Sequence, residues 1–90
     1  MIQRHVVISG KVQGVGFRAA TLREAHSFPD LCGFVCNLPD GRVEAVFAGV
    51  EEEVLRMVEW CRSGPSLARV ERLTVKEEFY DSSMEKFQIR

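Results

Sequence analysis

Two runs of strand-forming residues, 31–37 and 42–48, are separated only by Leu38-Pro39-Asp40-Gly41. Proline second and glycine fourth suit a type I turn. So short a link lays the two strands antiparallel, because parallel neighbours need a crossover of a dozen or more residues. An all-parallel sheet is thereby excluded.

The segments on either side fill in an architecture. Val6-Val7-Ile8 is a β-branched run within a strand expected over 2–9, with Ile2, Val6 and Ile8 on one face and Arg4 breaking the alternation. A helix is expected over 19–28, with Leu22, Ala25 and Phe28 as its apolar stripe and Pro29-Asp30 as its stop. Past Gly49, Glu51-Glu52-Glu53 opens a second helix with negative charge that complements the macrodipole. Val50, Val54, Met57, Val58 and Cys61 repeat there at helical spacing, and Ser63-Gly64-Pro65 ends it. A strand over 68–78 and a short one closing at Phe87-Gln88-Ile89-Arg90 follow. The order βαββαβ defines an α+β fold, the ferredoxin-like α/β sandwich. It has a mostly antiparallel four-stranded sheet, a short C-terminal strand, and two helices on one face. All 90 residues form a single domain. Such a fold hosts unrelated activities, so function has to be read from a site.

The candidate site is the junction between the first strand and the first helix, Gly10-Lys11-Val12-Gln13-Gly14-Val15-Gly16-Phe17-Arg18. Glycines let successive backbone N–H groups face one point, and a helix N-terminus adds partial positive charge. Arg18 supplies a full charge on a planar donor fork. A phosphate-sized anion is the expected guest. Gly14 to Ala19 also fits G-x-G-x-x-G/A, but the dinucleotide fingerprint needs a parallel βαβ unit and more strands than this chain holds.

Composition removes other classes. A net charge of −1 argues against a nucleic-acid binder, and the strand Val43-Glu44-Ala45-Val46-Phe47 lacks the aromatic pattern of an RNA-recognition module. No apolar run approaches a membrane span and no signal segment opens the chain, so no membrane partner and a cytoplasmic location are expected. Three cysteines make no complete disulfide framework, which fits a reducing compartment. Cys32 and Cys36, even with His5 and His26, do not give the spacing of a zinc site, and the glutamate run reads as a solvated turn; no metal is expected. His5 and His26 read as structural or exposed, and Gln13 as structural, bonding across the loop. Nothing requires more than a monomer.

Two segments together resemble one family. Ile8 to Arg18 is similar to the acylphosphatase signature, an apolar residue followed by G-x-V-Q-G-V-G-F-R. Gly33-Phe34-Val35-Cys36-Asn37, then Gly41, Val43 and Gly49, resembles its second signature, and Gly64-Pro65, Ala68, Val70 and Phe87-Gln88-Ile89 resemble its later elements. The resemblance implies hydrolysis of a small acyl phosphate to carboxylate and inorganic phosphate, without metal or cofactor. It implies that backbone N–H groups of Gly14, Val15, Gly16, Phe17 and Arg18 bind the phosphoryl oxygens, with Arg18 as charged clamp. Asn37 would orient the attacking water. Cys36 departs from the family, which carries a long polar or basic residue there; strand alternation turns it away from Asn37, and an accessible thiol there could be oxidised. The competing reading is a non-catalytic or partner-dependent anion-binding module, as in the acylphosphatase-like domains of hydrogenase-maturation carbamoyltransferases. The absence of zinc-finger or transferase segments favours a free-standing enzyme.

Overall fold

The computed structural model describes all 90 residues. The chain runs β1 (Ile2–Lys11), α1 (Phe17–Ala25), β2 (Cys32–Asn37), β3 (Val43–Gly49), α2 (Glu51–Cys61), β4 (Arg69–Glu78) and β5 (Gln88–Ile89). One five-stranded sheet places them in the order β4-β1-β3-β2-β5. This is the expected βαββαβ sandwich, with the closing strand added at one edge.

The turn read from the sequence forms: the Gly41 N–H donates to the Leu38 carbonyl at 3.2 Å, and Leu38 N–H to Arg42 O at 2.8 Å. β3 therefore returns antiparallel to β2, with Asn37 opposite Val43. β1 pairs antiparallel with β3 and with β4, and β5 lies parallel to β2. Consequently β1, β2 and β5 point the same way, and their carboxyl ends meet at one end of the sheet. In open α/β sheets that is where ligands bind.

Alternation along the strands sends Val6, Ile8, Val35, Val43, Ala45 and Phe47 into a core completed by Phe17 and Ala25 of α1 and Val54, Met57, Val58 and Cys61 of α2. α1 packs over β2 and β5, α2 over β1 and β3, and the helices touch each other. Each large apolar side chain buried this way contributes about 1.5–3 kcal/mol. Phe87 stacks on Phe47 at 5.3 Å between centroids, which anchors the chain just ahead of β5.

Some sequence expectations need correction. α1 begins at Phe17 rather than residue 19 and ends at Ala25 rather than 28. Its buried positions are Phe17, Ala20, Thr21 and Ala25, while Leu22 and Phe28 are only partly buried. The helix starts early because Gly16, in the left-handed conformation, already acts as N-cap. It stops early because Ser27 and Phe28 N–H groups turn to the carbonyls three residues back, tightening the chain ahead of Pro29. Val50 is not part of the α2 stripe. It is the extended N-cap residue and 45% exposed.

Candidate active site

At the shared carboxyl end of β1, β2 and β5 lies a cavity of about 260 Å³ lined by Val12, Gln13, Gly14, Gly16, Phe17, Arg18, Ala19, Asn37 and Ile89. Its shape follows from the loop. Gly14 and Gly16 hold φ of 74° and 78°, left-handed values that only glycine adopts without strain. A Cβ at either position would meet nothing within 4 Å, so the backbone conformation, not crowding, demands glycine. None of the backbone N–H groups of residues 14–19 donates to a backbone carbonyl. These are strong donors with their hydrogen bonds still to be made.

The two helix N-termini show what this means electrostatically. α2 opens with Glu51, Glu52 and Glu53, which answer its dipole from within the protein. α1 has no acidic residue in its first turn and no side-chain cap. Its positive end therefore faces the cavity uncompensated. Arg18 adds a guanidinium that takes part in none of the protein's ion pairs, which join Arg4–Glu77, His5–Glu44, Arg42–Asp40 and Arg62–Glu59. Arg42, the nearby cation on the hairpin, is neutralised by Asp40 at 2.7 Å, and its hydrogen bonds hold the Asp40 carboxyl below its ordinary value.

Gln13 ties the loop to the hairpin. Its Nε2 donates to Leu38 O at 2.8 Å and to Arg42 O at 3.0 Å, bracketing the turn that follows Asn37. This is the bond across the loop expected from the sequence. It holds the hairpin that follows Asn37, the exposed last residue of β2, to the loop that leads into α1. The structure thus brings Gly14, Gly16, Phe17, Arg18 and Asn37 into one cavity. Val15 is not on its lining: its side chain packs against the core, leaving only its backbone to serve the loop. Phe17 is likewise spent in the core, 5.7 Å from Trp60 in an edge-to-face pair, and holds the first turn of α1 in place.

Cys36 lies off the cavity, as strand alternation requires. Burial raises its thiol pKa, as does its 3.4 Å hydrogen bond to Glu44 Oε1, while Arg90 and Arg18 pull weakly the other way. Burial and that hydrogen bond both favour the protonated, less nucleophilic thiol. The other oxygen of Glu44 meets His5 Nε2 at 2.7 Å, which places His5 in a structural pair across the sheet. No group of three His, Cys, Asp or Glu side chains is arranged to hold a metal ion. Ile89 was not singled out for chemistry in the sequence. It reaches the cavity through the parallel pairing of β5 with β2, a long-range contact with no local signature.

The fold and this end of the sheet define a small α/β sandwich with an anion-binding loop facing a strand-end asparagine. The acylphosphatase family model matches residues 4–89. An acylphosphatase of Syntrophobacter fumaroxidans is 51% identical over 85 residues, 94% of this chain and 87% of that protein. The crystal structure of acylphosphatase from Bacillus subtilis superposes with a TM-score of 0.92 at 34% identity, covering 100% of this chain and 99% of that one. The structure of HypF from T. kodakarensis matches with a TM-score of 0.83 at 35% identity, covering 100% of this chain but only 12% of that one. The chain belongs to the acylphosphatase family.

Proposed function

We propose that this protein hydrolyses the carboxyl–phosphate anhydride of small acyl phosphates, releasing a carboxylate and inorganic phosphate. The observation that carries the reading is the cavity itself: a loop whose N–H donors at residues 14–19 have no backbone partner borders it, and Arg18, outside every ion pair, and Asn37 line it. The substrate needs no general acid, because a carboxylate leaves readily without protonation near neutral pH. What remains is to hold the phosphoryl group, spread its charge and aim a water in line.

In this reading the loop N–H groups bind the equatorial oxygens and Arg18 clamps them with its donor fork. Asn37 accepts and donates hydrogen bonds to the attacking water. An amide is too weak a base to take a proton, so Asn37 orients the water and a phosphoryl oxygen receives the proton. The new P–O bond forms as the bond to the carboxylate oxygen breaks. Family membership and the fold match support the reaction class, and the loop's geometry supports the residue roles.

The test is phosphate release from benzoyl phosphate by wild type and Arg18→Ala. Losing one charge-stabilising donor is expected to lower kcat by about 10²–10³ fold, with weaker phosphate binding besides. Activity of the variant within threefold of wild type would overturn the clamp. A folded wild type that binds phosphate yet releases none would leave an anion-binding module in place of an enzyme.

A further inference from the structure

We infer that Ile89 is a specificity-determining wall of the cavity, and that the preferred substrates are acyl phosphates with an apolar acyl group. This inference rests on the acyl phosphate reading above and adds the nature of the acyl side. The phosphoryl group occupies only part of the space. At ~30 Å³ per water, the cavity of about 260 Å³ equals roughly nine waters, more than a phosphoryl group and one attacking water fill. The remainder has a definite character. Arg18 is the only charged side chain on the lining, and the loop claims it for phosphate. Val12 and Phe17 are buried in the core, so Ala19 and Ile89 are the apolar side chains left open to a guest.

Ile89 is also held firmly. It pairs with Val35, and the next residue's N–H donates to Val35 O at 2.9 Å. The Arg90 guanidinium sits 4.1 Å above the Phe34 ring, on the opposite face of the sheet from the cavity. Phe87, stacked on Phe47, pins the segment from the other side. A large apolar side chain 38% exposed on a fixed strand end, facing a concavity, gives an apolar acyl group something to bury. A charged acyl group would find no charged side chain on the lining beyond Arg18 and would lose part of its hydration.

The experiment compares kcat/KM for benzoyl phosphate and acetyl phosphate in wild type, Ile89→Ala and Ile89→Leu. Reading the ratio cancels the intrinsic reactivity of the two anhydrides and any general loss of active protein. Ile89→Ala is expected to lower the benzoyl-to-acetyl ratio about tenfold, the low end for trimming a pocket hydrophobe, because Ile89 is partly open to solvent. The loss of kcat/KM should be smaller for acetyl phosphate than for benzoyl phosphate, and Ile89→Leu should keep the wild-type ratio. Should the alanine variant fail to fold, Ile89→Val carries the same test with a drop of about threefold, the loss of one partly buried methylene. An unchanged ratio, or an equal fall for both substrates, overturns the inference. Wild type that hydrolyses neither substrate overturns the reaction itself, and the inference with it.

Discussion

Gly64→Ala is expected to loosen the start of α1 from beneath. Gly64 closes α2, its N–H donating to Trp60 O at 2.9 Å, with φ at +64°. A Cβ there would stand 2.4 Å from Phe17 Cε2 and 3.0 Å from Cζ, so the ring must move. Two costs add. Holding a non-glycine residue left-handed costs about 1–2 kcal/mol. Crowding an already packed side chain costs about 1–3 kcal/mol. The total, about 2–5 kcal/mol, is a large share of the ~5–15 kcal/mol that stabilises a domain. At about 4–8 °C per kcal/mol for this size, Tm should fall by about 20 °C. Circular dichroism melts measure it. The steric share is isolated by Phe17→Leu, which removes the ring atoms in the way: in the double variant Gly64→Ala should cost about 1–3 kcal/mol less than it does alone. A melt within 4 °C of wild type, or strict additivity of the two substitutions, would refute the reasoning.

Two further outcomes are expected. Gln13→Ala removes both bonds between the loop and the hairpin, costs about 1–2 kcal/mol of stability, and lowers kcat/KM about 10²-fold through misplacement of Arg18 against Asn37; turnover within threefold of wild type would remove Gln13 from its positioning role. Acid sensitivity should run partly through Glu44, whose pKa is lowered chiefly by its hydrogen bond to His5. A depressed folded-state pKa gives stability that is present above the unfolded value, ~4.3, and lost as pH falls through the folded one. The gap in urea midpoint between wild type and Glu44→Gln should therefore be wider at pH 7 than at pH 3, and a gap that does not narrow in acid contradicts the pairing.

The hairpin was legible because its turn chemistry is local: Pro39 and Gly41 prescribe a reversal that no distant contact can undo. The strand faces were legible for the same reason, since alternation at Val6 and Ile8 is a property of the chain itself. The start of α1 was not. Phe17 and Arg18 follow two glycines and read as loop, yet Gly16 in its left-handed conformation serves as the cap and begins the helix one residue on. Val50 fits the helical period but lies where the backbone is still extended, which turns its side chain to solvent. At the site, the glycine loop, Arg18 and Asn37 could be found because their residue types carry the chemistry. Ile89 could not, because an isoleucine near a chain end acquires a role only when β5 docks beside β2. Gln13 was readable as a bridge, although its two acceptors, Leu38 O and Arg42 O, depend on where the hairpin lies.

The central claim is that Asn37 orients water toward a phosphoryl group held by the loop. Its most direct measurement is the initial rate of benzoyl phosphate hydrolysis in EDTA by wild type and Asn37→Ala, with phosphate affinity determined alongside. Rapid hydrolysis by wild type, reduced about 10²-fold or more in the variant with phosphate affinity little changed, is the predicted result. A variant that turns over saturating substrate at the wild-type rate while losing its affinity for phosphate would contradict the account.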